Sequence, residues 1–392
     1  MQNIIWSTGH HLKFGNITGS DNCFLYDEYG NRLVDLESGV WCTNVGHNNR
    51  RINQVITNQI GRITHTGFCY GHPAIDETAL KVLEICGLKG GKCEFLCSGS
   101  EAVEFGMRIA RTISERPLAL TFADSYFGAY GDAATKSKEG WFIYDRLNCG
   151  CASSPEGCTG ECEEFQKIPF SQTGIFLFEP GSSMGLVRFP SGKLIQNISE
   201  RIKRYGGMIL ANEVTTGMGR TGKWFGYQHY PIQPDIVAMG KGIGNGYPVS
   251  VTAISENVSQ KLALKRFIYA QSHQNDPLGA VVAREVIRII EDENLLEACL
   301  QKGNYLKEKL EGLKNQYPVI KEIRGRGLML AIEFHKDANL VYEMLLEEGY
   351  IVCKRPNTEV LRLDPALTIE METLEWFADT LKEIFTKNDC YS

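Results

Sequence analysis

Short runs rich in β-branched and aromatic residues alternate with stretches of helical periodicity through the middle of the chain. Leu118 to Ala123, Gly174 to Glu179, Gly207 to Ala211, Asp235 to Met239 and Val249 to Ile254 predict strands, and Cys93 to Cys97 is a sixth strand-like run. Between two of them, Ile195, Ile198 and Ile202 recur at helical spacing, so Leu194 to Tyr205 predicts a helix. Such alternation implies a mostly parallel sheet covered by helices. From Asp276 the pattern changes to long amphipathic helices, Pro277 to Glu291 and Leu295 to Lys314, followed by a strand over Gly327 to Phe334. That change predicts a second domain.

With 392 residues, 43% of them hydrophobic, the chain has ample material for a large core, and no Pro-, Ser- or charge-rich linker divides it. The net charge of -6 comes from interspersed acids and bases, leaving no basic face for a phosphate backbone, so nucleic acid is not an expected partner. The start, MQNIIWSTGHHLKFG, has no secretory pattern, and no run reaches the ~20 apolar residues of a membrane span. We expect no membrane association and a cytoplasmic protein. The 13 cysteines fit a reducing compartment, with Cys86, Cys97 and Cys299 expected as buried thiols.

Two segments carry candidate chemistry. Ser98-Gly99-Ser100-Glu101-Ala102 follows a strand and opens a helix whose Val103, Gly106, Met107 and Ala110 share one face. Unpaired N–H groups, the helix dipole and the serine hydroxyls suit a phosphate, although the same residues also describe an ordinary Ser-capped helix. Lys241 sits in Met239-Gly240-Lys241-Gly242-Ile243-Gly244-Asn245-Gly246, directly after a strand. No Ser or Thr follows the lysine, so this is not a Walker A loop. A lysine dehydrated among small residues can lose its proton, as Schiff-base chemistry requires.

The run Ala211-Asn212-Glu213-Val214-Thr215-Thr216-Gly217-Met218-Gly219-Arg220-Thr221-Gly222, with Pro234-Asp235-Ile236 and Lys241, closely resembles the signature of class III aminotransferases. Gly46-His47, Ser98 to Ala102, Ser125-Tyr126-Phe127-Gly128, Glu179-Pro180, Asn275-Asp276-Pro277-Leu278, Arg324-Gly325-Arg326-Gly327-Leu328 and Leu361-Arg362-Leu363 keep the family's order across roughly residues 20 to 370. The resemblance implies an α/β fold of the fold type I pyridoxal-phosphate (PLP) transferase class. It would have a large domain at 46–270 with a mostly parallel sheet and a Cys-rich insertion at 149–162. Residues 1–45 and 271–392 would make a smaller α+β domain.

Carried over by position, Lys241 would be the catalytic residue, holding PLP as a Schiff base. Gly99 and Ser100 would bind its phosphate, Tyr126, with Phe127 beside it, would stack on the ring, and Val214 would lie on the other face. Asn212 would meet the ring nitrogen and Thr215 the phenolic oxygen. Ser272 falls where the family has a phosphate-binding threonine from the neighbouring subunit, which implies a homodimer. Arg362 resembles the arginine that pairs with a substrate carboxylate; a surface ion pair is its other reading. Trp41 falls on the substrate side, where core packing would equally account for an aromatic. The implied partners are a small-molecule amino donor, an amino acid or amine, and an oxo-acid acceptor such as 2-oxoglutarate.

The chain departs from the family at three points. Asn212 replaces the aspartate that keeps the pyridine nitrogen protonated; an amide can donate a hydrogen bond to that nitrogen but brings no negative charge. This is compatible with a natural enzyme using a weaker electron sink, a noncatalytic PLP-binding interaction protein, or an engineered change. Thr215 replaces the usual glutamine. Cys149-x-Cys151-x6-Cys158-x3-Cys162 suits structural zinc, with an iron-sulfur cluster or unliganded thiols as alternatives. His47, His72 and His273 form no convincing metal set. Transamination is the leading reading, and PLP-dependent racemisation, epimerisation or decarboxylation the rival enzyme activities.

Overall fold

The computed structural model describes residues 3–387 apart from 68, 153–157 and 185. Its centre is a seven-stranded sheet in the order Lys92–Leu96, Ser250–Ile254, Ile236–Met239, Met208–Asn212, Thr173–Phe178, Leu118–Phe122 and Trp141–Tyr144. From Ile236–Met239 to Trp141–Tyr144 all neighbours are parallel, while Ser250–Ile254 runs antiparallel to both of its neighbours. Hydrophobic pattern is blind to strand direction, so the reversal had no signal in the sequence.

Thr173–Phe178, Met208–Asn212, Ile236–Met239 and Ser250–Ile254 are buried at every position, which explains why they read as continuous apolar runs. Successive side chains serve opposite faces. Ile175, Leu177 and Leu210 pack with Val103, Met107 and Ala110 of the helix Gly99–Ile113. Phe176, Phe178 and Ile209 pack in the core that holds Leu194, Ile195, Ile198 and Ile202 of the helix Gly192–Arg204. Each fully buried aliphatic or aromatic side chain contributes about 1.5–3 kcal/mol, and the two faces together clamp the sheet. That rigidity matters because the carboxyl ends of the parallel strands all open to one side.

The N-terminal strands Ile17–Asp21, Phe24–Asp27 and Arg32–Asp35 form a second sheet with Tyr350–Ile351, so the two ends of the chain share structure. A third, antiparallel sheet contains Ile320–Arg326, Met329–Phe334, Val360–Leu363 and Cys353–Lys354. The helix Pro277–Asp292 packs on Arg50–Ile60, Pro73–Ile85 and the turn Lys241–Gly244, while Leu295–Gln316 packs on Ile320–Arg326. Cys86 and Cys299 are buried as expected, whereas Cys97 is only half-buried. Among the described residues, no helix is long and apolar enough to cross a membrane.

Candidate active site

Eight residues singled out in the sequence, Gly99, Ser100, Tyr126, Phe127, Asn212, Val214, Thr215 and Lys241, line one cleft of about 170 Å³, joined by Val103, Gly128 and Glu179. They come from the ends of separate strands. Ser98, in extended geometry, caps the helix Gly99–Ile113 by accepting the Glu101 N–H at 3.2 Å, and leaves the first turn of that helix facing the cleft. Close packing makes two glycines obligatory. A Cβ on Gly99 would lie 2.6 Å from Val214 Cγ1, and one on Gly128, whose φ is +126°, would lie 2.5 Å from Ser100 Oγ.

The strand Ile236–Met239 delivers Lys241 into a short 3₁₀ turn, Lys241–Gly244, in which the lysine takes a left-handed φ of 46°. Burial lowers its pKa, and the positive charge of Arg362 pushes the same way; Cys42, Glu179 and Asp364 oppose. The amine is thereby moved towards its neutral, nucleophilic form.

Asn212 is buried, and both ends of its amide are hydrogen-bonded. Its Oδ1 accepts the Val214 N–H at 3.2 Å, which orients the amide, and Nδ2 faces the Tyr126 carbonyl at 3.0 Å and Glu179 Oε1 at 3.5 Å. The sequence suggested an amide free to donate towards a ring nitrogen. Both amide hydrogens have protein acceptors instead, and spare capacity remains only on Oδ1.

Glu179 stands behind it, just beyond Phe178, accepting the N–H groups of Tyr126 (3.0 Å) and Ser183 (3.4 Å) and the Ser183 hydroxyl (2.7 Å). These bonds favour the carboxylate, but burial outweighs them and pushes its pKa up to about 7. In the sequence Glu179-Pro180 stands only as one of the family's motifs. An acid directly after the apolar run Ile175 to Phe178, at the carboxyl end of a buried parallel strand, was the available signal for a site role. Thr215 Oγ1 is buried on the cleft without a hydrogen-bond partner, an open position for an oxygen of a bound group.

On the far side of Lys241 lies Trp41, its ring centroid 4.8 Å from Nζ and 3.6 Å from the Arg362 guanidinium carbon. Ser38, Gly39, Val40 and Trp41 all have φ between 42° and 64°, a left-handed turn closed by Trp41 N–H to the Glu37 carbonyl at 2.9 Å. Left-handed geometry costs about 1–2 kcal/mol for each non-glycine residue, so about 3–6 kcal/mol here. Asp35 offsets this by accepting the N–H groups of Glu37 and Gly39. Ser38 Oγ donates to the Asp364 carbonyl at 2.5 Å and accepts from Arg220 at 3.0 Å. The buried Val187, at φ 48°, packs with Trp41 in the same apolar cluster. A β-branched residue in that conformation stores a further ~1–3 kcal/mol.

Arg362 is not a surface residue. It is 2% exposed, its Nε donates to Asp364 Oδ2 at 2.9 Å and its Nη1 to the Ser183 carbonyl at 3.2 Å. Of the five guanidinium N–H groups, two are thus used and three remain for an incoming anion. Burial raises the pKa of Asp364, with Arg362 and Arg220 opposing. Ser272 is exposed and is not among the residues lining the cleft.

The ligand sulfurs of Cys149, Cys151, Cys158 and Cys162 converge to within 4.8 Å of one another. His65 and His273 share Asp276, through bonds of 2.6 and 2.7 Å, and His47 is held by Asp35 at 2.7 Å. His72 caps the helix Pro73–Ile85.

Residues 5–385 match the family Aminotransferase class-III. The chain is 27% identical to an acetylornithine aminotransferase of Prochlorococcus marinus, covering 95% of this chain and 91% of that one. It is 28% identical to a leucine/methionine racemase of Thermococcus litoralis, covering 92% and 88%. An S-selective transaminase from Arthrobacter sp. shares the fold with a TM-score of 0.89 at 23% identity, covering 97% and 95% of the two chains. Together with the family match, the fold built around Lys241 makes the chain a member of the class III aminotransferases, PLP-dependent enzymes of fold type I.

Proposed function

We propose that the cleft holds PLP with its phosphate at Gly99 and Ser100, its ring between Tyr126 and Val214 with Phe127 alongside, its nitrogen towards Asn212 and its phenolic oxygen towards Thr215. Lys241 would be its covalent anchor. The observation that carries this assignment is the convergence of eight separately identified residues on one cleft around a lysine whose pKa is lowered. The orphaned Thr215 Oγ1 and the space kept open by Gly99 and Gly128 fit such a group.

When bound, PLP supplies the carbonyl that takes up the amino group and the ring that draws electrons from the substrate α-carbon. The chain's own residues do the rest. Lys241 Nζ would take the proton from the substrate α-carbon and deliver it to C4′ of the cofactor. Arg362 takes a substrate carboxylate on its three unused N–H groups, and Trp41 limits the space beside it. Asn212 leaves Oδ1 to accept from a protonated ring nitrogen, with Glu179 one hydrogen bond further back. The substrates are an amino acid or amine and a 2-oxo acid.

Ser272 in this reading completes the phosphate site of a second copy, so the working enzyme is a homodimer. Residues 1–45 and 271–392 act as the smaller domain around 46–270. The four-cysteine loop holds structural zinc. The described cysteines form no disulfide, in keeping with a reducing, cytoplasmic setting.

The test is an absorption spectrum of the holoenzyme titrated with amines and amino acids, with borohydride reduction and peptide mapping. An amino donor should convert the cofactor to its aminated form and a 2-oxo acid should reverse it, with the reduced label on Lys241. Racemisation without net conversion would favour the activity named for the Thermococcus relative. No spectral response to any amine overturns the enzymatic reading.

A further inference from the structure

The four-cysteine loop is tied to the substrate side of the site. Four thiolates at ~2.3 Å from one tetrahedral ion stand about 3.8 Å apart; Cys149 and Cys151 Sγ are 3.6 Å apart, and all four sulfurs fall within 4.8 Å. Such a group surrounds a single ion, and a multi-iron cluster would need wider spacing. Tyr144, at the end of the strand Trp141–Tyr144, places its hydroxyl 2.9 Å from Cys158 Sγ and 3.3 Å from Cys162 Sγ, where it can donate to metal-bound thiolates.

From this cluster hydrogen bonds, joined by short stretches of chain, lead to Arg362. Ser191 Oγ donates to the Cys158 carbonyl at 2.6 Å, and Asn197 Nδ2 donates to the Thr159 carbonyl at 2.8 Å. Arg146, three residues before Cys149, donates to the Arg188 carbonyl at 3.1 Å. Ser182 and Arg188 exchange two bonds, 3.0 Å from the Ser182 N–H to the Arg188 carbonyl and 3.1 Å from the Arg188 N–H to Ser182 Oγ. Between them, the Ser183 carbonyl receives Arg362 Nη1, and the strained Val187 packs with Trp41. The same stretch therefore touches the metal loop at one end and the carboxylate-binding pair, Arg362 and Trp41, at the other.

We propose that zinc in the four-cysteine loop braces the segment around Ser182, Ser183, Val187 and Ser191, and so sets the affinity of the site for substrate carboxylates more than for amines that lack one. This rests on the reading that the site is an aminotransferase site and that the four thiols bind zinc. The effect falls first on carboxylates because the segment holds Arg362 through the Ser183 carbonyl and packs on Trp41 through Val187; its link to the cleft, from Ser183 to Glu179, meets a residue that Tyr126 and Asn212 also hold.

The experiment uses holoenzyme purified without chelator, metal analysis, and cofactor spectra titrated with L-alanine and with ethylamine, which lacks the carboxylate. About one equivalent of zinc per chain is expected. Zinc removal should raise the half-saturating alanine concentration about tenfold, move the ethylamine value less than about twofold, and be reversed by added zinc chloride. Ser191→Asp retains a helix-capping acceptor but loses the hydroxyl that donates to Cys158. It should keep its zinc and show the alanine effect alone. Less than about half an equivalent of zinc overturns the metal reading and the brace with it. Full zinc with equal shifts for both ligands, or none for either, in the zinc-free protein and in Ser191→Asp overturns the brace and leaves the metal site standing.

Discussion

Replacing Glu179 by Gln removes a buried carboxyl group while keeping its length. In the folded protein burial holds Glu179 near pH 7 against an ordinary value of 4.5, despite the three hydrogen bonds it accepts from Tyr126 and Ser183. Such a raised pKa means that the folded state binds a proton more tightly than the unfolded chain. Its stabilising contribution is complete below the unfolded value and is lost as pH rises through the folded one. The rise from 4.5 to about 7 corresponds to ~3.4 kcal/mol in full, of which about 2.5 kcal/mol disappears between about pH 5 and about pH 9. Glutamine does not titrate, so the Glu179→Gln apoenzyme should lack this slope. It should also lose a pH-independent ~1–3 kcal/mol, because its NH₂ faces donors. Urea unfolding of both apoproteins across that range reads the group, because Glu213, also raised to about 7, titrates in both and owes its shift chiefly to burial, with Glu179 the last of its causes. The difference between the two stabilities should move in favour of the variant by about 2.5 kcal/mol as pH rises. Parallel curves would refute the claim that burial outweighs hydrogen bonding at Glu179.

Asn212→Asp would set a carboxylate about 3.5 Å from Glu179, a repulsion of about 5 kcal/mol at an effective dielectric of ~20. The apo variant should melt at a lower temperature than the parent above neutral pH, yet its stopped-flow half-reaction with an amino donor should be at least about tenfold faster, because the ring nitrogen gains a charged partner. Gly99→Ala puts a Cβ 2.6 Å from Val214 Cγ1, pushing that side chain into the cleft; equilibrium dialysis should show PLP affinity down by about tenfold or more. Arg362→Lys cannot reproduce the planar fork over Trp41. Steady-state kinetics should show KM for carboxylate substrates up by about ten- to a hundredfold, with carboxylate-free amines little affected.

The cleft was legible because most of its residues sit in short contiguous motifs. Asn212, Val214 and Thr215 lie in one run, and Gly99 and Ser100 in another, so local spelling carried them. Apolar runs located the buried strands to within a residue or two, but they could not show that Ser250–Ile254 is reversed. Asp364 was legible in principle: residues i and i+2 along an extended chain share a side, and it follows Arg362 at that spacing. The raised pKa of Glu179 and the left-handed turn at Trp41 were not, since each depends on partners far away in sequence. Glu179 acquires its pKa from burial beneath Tyr126 and Asn212, and the turn is imposed by Asp35, Arg220 and Asp364. The joining of the cysteine loop to Ser191 was equally invisible, resting on the carbonyl of Cys158 rather than on any side-chain pattern.

The left-handed turn has a consequence for how this site can change. Its backbone path is dictated by contacts to Ser38 and to the N–H groups of Glu37 and Gly39, none of which involve the indole itself. The side chain at position 41 is therefore a replaceable part on a fixed mount. In a mutant library at this one position, unbranched or small residues would keep the mount and open room beside Arg362 for bulkier amines. Proline would drop out, because its ring fixes φ at about −65° and removes the N–H that closes the turn onto the Glu37 carbonyl.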